Sequence, residues 1–356
     1  MLAAAAGGCG LKNKQKLAAH QRWCETRARV IASVGAEHLK VGDLDKAADS
    51  AKQALSLAPS CVPARVLLAK VLLEKGRYAA AAEALRGCQS DAPENPEVPY
   101  LLGVAHEKRK QYAEALRQYQ KACALDPSND AYVIASAEVL VAQGKAALAL
   151  ELLESRLERI DGGVPMLLLA GELAMMVGQP VKAAGLYRRC LDAERDYKEK
   201  VSWVYIMMGD CYLASRRVAE ARGAYEVAVR IDPGDAEIWL CLAKAALAGG
   251  DPSAAAKAAR RALALKGDSL DANLLLACAL LAQDRPEEAS KLLLRAAQAD
   301  PRNATVLCML GRCCQALGKK DQAVSYYLRA LRSDPDHPLA KHLLAGIELG
   351  GSQGRR

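Results

Sequence analysis

The sequence predicts an all-α fold of stacked antiparallel helical hairpins, and three observations predict it. The first is a 34-residue period in small side chains. Gly35, Ala47 and Ala54 recur as Ala69, Ala81 and Cys88, then as Gly103, Ala115 and Ala122. The register returns at Gly209, Ala221 and Ala228, at Ala277, Ala289 and Ala296, and at Gly311, Ala323 and Ala330. A repeat of this length is the signature of a two-helix unit that must stack on its neighbours. The second is a proline at the close of most units: Pro59, Pro93, Pro127, Pro233, Pro301 and Pro335. Proline cannot extend the helical hydrogen-bond ladder and disfavours helix at the residue before it, so it stops each second helix where the chain turns. The third is composition. The 52% hydrophobic content is carried largely by Ala and Leu, both strong helix formers, and no segment alternates with the period of a strand.

Residues 1–27 read as an N-terminal tail and basic helical extension, with a helix expected over Leu11 to Val41. Across residues 12–29, Lys12, Lys14, Lys16, Arg22, Arg27 and Arg29 are opposed only by Glu25, and Leu17, Trp23 and Val30 form the apolar side of the helix. Nine units follow, at 28–61, 62–95, 96–129, 130–163, 164–197, 202–235, 236–269, 270–303 and 304–337. In each, two helices approach closely at one point, which demands Gly or Ala. The larger residue just before it (Val34, Leu68, Leu102, Met208, Leu242, Leu276 or Leu310) is expected to fill the space between hairpins. Units four and five close without proline, and a four-residue insertion at 198–201 follows, so the second helix of unit five is expected to be longer. Unit seven closes at Gly267, which is expected to end its helix through the left-handed conformation that glycine reaches cheaply. Residues 338–349 read as a capping helix and 350–356 as a flexible tail. Because each hairpin buries its apolar face only on its neighbours, 28–337 is expected to form one elongated unit.

This pattern resembles the tetratricopeptide repeat (TPR). Unit six carries its signature as Tyr205, Met208-Gly209, Tyr212, Ala221, Tyr225, Ala228 and Pro233; unit nine as Leu307, Leu310-Gly311, Cys314, Ala323, Tyr327, Ala330 and Pro335. The position where that family favours Phe holds Ala51, Leu85, Tyr119, Leu153, Tyr187, Tyr225, Ala259, Leu293 and Tyr327, and the chain contains no Phe at all. The resemblance implies a right-handed superhelical solenoid whose first helices line a concave groove. It also implies a non-catalytic scaffold or adaptor that binds a peptide or protein segment in that groove. The two-carboxylate clamp by which some relatives bind chaperone termini is absent, since its offsets hold pairs such as Ala32 with Ala36 or Ile206 with Asp210.

Composition narrows the remaining classes. A net charge of +8 with 25% charged residues describes a mildly basic chain rather than a polycation, which disfavours the alternative of a nucleic-acid-binding solenoid. The 12 cysteines sit at helical packing positions with no C-x-x-C pair, so no metal site is expected, and the pattern suits free thiols in a reducing, cytoplasmic setting. Met1–Gly10 lacks the basic start of an export signal, and no run approaches the ~20 apolar residues needed to span a bilayer. No nucleophile, metal or phosphate-loop motif occurs, and none of the five histidines stands at motif spacing from an acid or Cys, so neither catalysis nor a cofactor is expected.

Function is therefore expected on the groove. One first-helix offset reads Ala36, Lys70, Val104, Glu138, Glu172, Asp210, Lys244, Cys278 and Arg312, placing three acids in succession. With apolar neighbours these define a candidate partner-binding set: Tyr100, Glu138, Glu172, Met175, Trp203, Met207, Asp210 and Lys244. An acidic stripe on an apolar floor suits a partner segment with basic and apolar side chains, and methionines add adaptability.

Overall fold

The computed structural model describes residues 6–159, 163–193 and 201–353, and every regular element among them is a helix. The chain divides into two compact units, Met1–Val177 and Gly178–Arg356.

The first unit contains α1 (Ala6–Lys40), α2 (Leu44–Leu57), α3 (Val62–Glu74), α4 (Tyr78–Ala84), α5 (Cys88–Asp91), α6 (Glu97–Lys108), α7 (Tyr112–Leu125), α8 (Asp130–Ala142), α9 (Ala146–Leu157) and α10 (Val164–Met176). The second contains α11 (Pro180–Ala193), α12 (Ser202–Ala214), α13 (Val218–Ile231), α14 (Ala236–Ala248), α15 (Pro252–Leu265), α16 (Leu270–Ala282), α17 (Pro286–Ala299), α18 (Ala304–Ala316), α19 (Lys320–Ser333) and α20 (Pro338–Gln353). Side chains of Asp43, Asn129, Asp235, Asp251, Ser269 and Asn303 accept hydrogen bonds from first-turn N–H groups and so begin their helices. The expected 198–201 insertion and lengthened helix fall almost wholly in 194–200, outside the described residues.

Packing follows the small residues. Ala47, Ala81, Ala115, Ala221, Ala289 and Ala323 are fully buried. At three close approaches the glycine faces a tyrosine sixteen residues on. A Cβ on Gly103 would meet the Tyr119 ring at 2.5 Å, and those on Gly209 and Gly311 would overlap Tyr225 and Tyr327 as tightly. Elsewhere in the same register Ala69, Ala137 and Ala277 pair with Leu85, Leu153 and Leu293. The ring displaces even a methyl group, whereas leucine leaves room for one.

A second periodic feature closes each hairpin. Gly42, Gly76, Gly144, Gly178, Gly250 and Gly318 have positive φ, as do Lys110, Arg216 and Asp284 at the equivalent position. In most units the next N–H reaches back five residues to a helix carbonyl, as in Arg77 N to Leu72 O at 2.8 Å and Arg217 N to Tyr212 O at 2.8 Å. This is the glycine-type helix stop, and it spares the orphaned carbonyls. It lies at the turn within the hairpin, not at Gly267, where a left-handed residue was expected. There α15 ends on Lys266 with φ −135°, the same extended conformation that Asp126, Asp232, Asp300 and Asp334 adopt before their prolines.

Three further expectations are corrected. The second helix of unit two is broken into α4 and α5 by Gly87 at φ +81°. Arg65 reaches the break, its Nη1 donating to Arg86 O at 3.4 Å and Asp91 Oδ2 at 3.2 Å. Leu17, Trp23, Val30 and Val34 are exposed, because the packed face of α1 is formed by Ala28 and Ala32. Finally, α20 continues to Gln353, past the Gly350 at which a tail was expected, since no proline interrupts it.

Candidate functional site

In the first unit, two of the candidate residues share one electrostatic environment. Tyr100 on α6 is half-buried and Glu138 on α8 is exposed. Tyr100 lies among aromatic rings, its centroid 5.7 Å from that of Tyr119 and 5.2 Å from that of Tyr132. A carboxylate that the sequence reading missed completes the group. Glu107, two turns beyond Tyr100 on α6, accepts a 2.7 Å hydrogen bond from the buried Tyr119 hydroxyl at its Oε2. Although the residue as a whole is exposed, partial desolvation of its carboxyl group raises Glu138 above the usual carboxylate range, and the nearby charge of Glu107 raises it further, against an opposing effect of Lys108. The same two carboxylates, after burial itself, push the Tyr100 hydroxyl up. The signal for Glu107 was present in the sequence: it stands twelve residues before Tyr119, as Gln315 does before Tyr327, whose hydroxyl donates to Gln315 Oε1 at 2.9 Å. Two acids beside one ring form a local negative field that favours a cation over an anion.

Glu172 lies exposed on α10 and Met175 half-buried on the same helix. Both belong to the first unit.

In the second unit Asp210 on α12 has a structural partner. The Tyr225 hydroxyl, on a side chain that is itself fully buried, donates to Asp210 Oδ1 at 2.6 Å. Asp210 thus repeats the role of Glu107. Its charge also reinforces the effect of burial on two thiols, Cys211 and Cys241, each pushed up to about 11. Trp203 and Lys244 are exposed, and Met207 is half-buried. Trp203 is 40% exposed, an unusually large apolar side chain to leave partly open to solvent.

Other polar residues are absorbed by the fold. His337, 9% exposed, begins α20: its Nδ1 accepts from Ala340 N–H at 3.2 Å and its Nε2 lies 3.4 Å from Thr305 Oγ1. Lys70 pairs with Glu97 across α3 and α6. Among the described residues no three His, Cys, Asp or Glu side chains are grouped to hold a metal ion, and no helix is long and apolar enough to cross a membrane.

Comparison with known proteins supplies the family context. Residues 230–338 match the family model described as Cytochrome c-type biogenesis protein H TPR domain. Residues 38–103, 100–129 and 202–245 match three tetratricopeptide repeat models. The chain is 24% identical over 253 residues to Tetratricopeptide repeat protein 37 of Xenopus laevis, a match over 69% of this chain that spans only 16% of that protein's length. Among solved structures, it is similar to the C-terminal part of a TPR repeat-containing protein from Cytophaga hutchinsonii, with TM-score 0.53 and 18% identity, over 68% of this chain and 98% of the other. It is also similar to YrrB, described as a TPR protein with an unusual peptide-binding site, with TM-score 0.43 and 19% identity, over 55% of this chain and 98% of that one. At these identities the likeness to solved structures concerns the fold.

Proposed function

We propose that this chain, which belongs to the tetratricopeptide repeat family, is a non-catalytic scaffold that binds a protein or peptide segment carrying basic and apolar side chains. One observation carries the proposal: Glu107 and Glu138 both act on the half-buried Tyr100 from neighbouring first helices, and the charge of Glu107 raises the cost of charge on Glu138. A lysine or arginine placed between them relieves that cost and gains a ring to lie against. In the second unit, Trp203, Met207 and Asp210 offer the same combination of apolar surface and one acid, with Lys244 on the neighbouring first helix. Cysteines set at buried packing positions along the helices, Cys61, Cys88, Cys308 and Cys313 among them, suit a reducing compartment, which supports a cytoplasmic setting.

The test is a titration of the chain into a fluorescein-labelled peptide alternating leucine and lysine, read by anisotropy, beside a leucine and glutamate control. The basic peptide binds, the acidic one does not, and the affinity falls with added salt. Glu107→Gln with Glu138→Gln lowers the affinity about tenfold, a loss of about 1.4 kcal/mol. Glutamine at 107 keeps the acceptor for Tyr119, so the fold is retained. Equal binding by the double variant rules out this patch as the contact.

A second reading has one observation in its favour. The match of residues 230–338 to a cytochrome c-type biogenesis TPR domain supports an accessory subunit of an assembly complex. It predicts that backbone amides within residues 230–338, those around Lys244 first, are protected from exchange when the assembled partner is present, as hydrogen exchange would report.

A further inference from the structure

The first unit contains a cleft that the groove residues do not touch. It opens among α7, α8 and α9, encloses about 370 Å³, and has apolar walls formed by Leu116, Leu140, Leu148 and Leu152. That volume lies within the range of roughly 300–1,000 Å³ found for small-ligand pockets. Leu148 is 51% exposed although it faces this apolar wall, which marks the cleft as unfilled by the protein's own side chains. Burial also pushes up the thiol of Cys123, another lining residue, which identifies the interior as poorly hydrated.

The cleft is not apolar throughout. Arg156 and Arg159 line it as well. Arg156 follows Leu148 and Leu152 along one side of α9 and, at about 1.5 Å rise per residue, stands roughly 12 Å beyond Leu148, and Arg159 lies just past the end of that helix. Arg156 is held loosely by Asp130, Nη2 to Oδ1 at 3.3 Å, and its side chain is only 14% exposed. Its Nε is buried and donates to no acceptor among the described residues. A buried guanidinium N–H without an acceptor costs free energy comparable to a lost hydrogen bond. Arg159 makes no ion pair among the described residues.

We propose that this cleft binds a medium-chain carboxylate, its alkyl chain along the leucine wall and its carboxylate accepting from the guanidinium groups of Arg156 and Arg159 that line the cleft. A guanidinium presents its N–H donors as a fork that fits a carboxylate edge, and Asp130 on Arg156 is the one carboxylate paired with these two arginines among the described residues, so a second anion is accommodated there. An apolar ligand without a charge fills the walls and leaves that excess positive charge unbalanced. The site uses none of the groove residues, so it stands or falls independently of peptide binding.

The experiment is calorimetric titration of the full chain with octanoate, octan-1-ol and octylamine at pH 7, combined with methyl NMR of labelled leucines. Octanoate binds and shifts the Leu148 and Leu152 methyl signals. Octan-1-ol binds about tenfold more weakly, the worth of one charge-assisted contact, and octylamine does not bind. Leu152→Trp fills the cleft and abolishes binding. Arg159→Glu, at an exposed position where the fold tolerates change, weakens octanoate binding about tenfold without altering the helical circular dichroism. Equal binding of octanoate and octan-1-ol overturns the proposal, as do methyl shifts confined to other leucines. So does preference for a pentapeptide with a free C-terminal leucine, because the cleft then recognises a chain terminus.

Discussion

Replacing Gly209 by alanine adds a single methyl group at the tightest point of the second unit. Built on the backbone as it stands, the new Cβ lies 2.6 Å from Cζ and 2.9 Å from Cδ1 of Tyr225. Tyr225 cannot swing outward without cost, since its ring is fully buried and its hydroxyl donates to Asp210 at 2.6 Å. Overpacking of this kind costs about 1–3 kcal/mol, and loss of a hydrogen bond to a charged acceptor about 1.5–3 kcal/mol. Alanine recovers about 1 kcal/mol through helix propensity. The expected net destabilisation is about 2–4 kcal/mol. The sequence itself supplies the remedy, because alanine at this register is paired with leucine in Ala69/Leu85, Ala137/Leu153 and Ala277/Leu293. Gly209→Ala combined with Tyr225→Leu is therefore less destabilised than the sum of the single changes, with a coupling of about 1–3 kcal/mol. Urea unfolding followed by tryptophan fluorescence suits the measurement, since Trp203 and Trp239 both lie in the second unit. Additive single effects, or a stabilising Gly209→Ala, would refute the packing account.

Three other outcomes follow from the same geometry. Lys110→Gly and Arg216→Gly relieve a left-handed backbone at φ 59° and raise stability by about 1 kcal/mol each in urea unfolding. His337→Ala removes the acceptor of Ala340 N–H, costs about 1 kcal/mol, and speeds hydrogen exchange in the first turn of α20, whereas His337→Asn preserves the cap. For Glu138, the folded carboxyl takes up its proton more readily than the unfolded one, so its contribution is most favourable when protonated. That contribution declines as pH rises from the unfolded value of about 4.3 through the raised folded value. Glu138→Gln is accordingly more stable than the native chain at neutral pH, and the difference vanishes on acidification below that window, as parallel unfolding curves would show.

The helical hairpins were readable because their signals are local: a small residue where two helices meet, and a proline that leaves the residue before it extended. The glycine–tyrosine partnership was also written in the chain, sixteen residues apart, but its meaning depends on which ring faces which backbone. Of the candidate binding residues, Tyr100 and Glu138 share one environment, yet Glu107 went unnoticed because an acid on a helix surface resembles ordinary solvation until a buried hydroxyl is found bonded to it. Asp210 was singled out for its charge, and the structure places a buried tyrosine on it.

By itself, then, the sequence determined the class of element, the repeat register and the family to which they point, since these rest on backbone preferences and the size of single side chains. Only the tertiary structure decided that the second helix of unit two breaks at Gly87, and which acids share one electrostatic environment. It alone opened a cleft against Arg156. These outcomes depend on side chains from separate helices meeting at particular distances, and a period along the chain does not encode those distances.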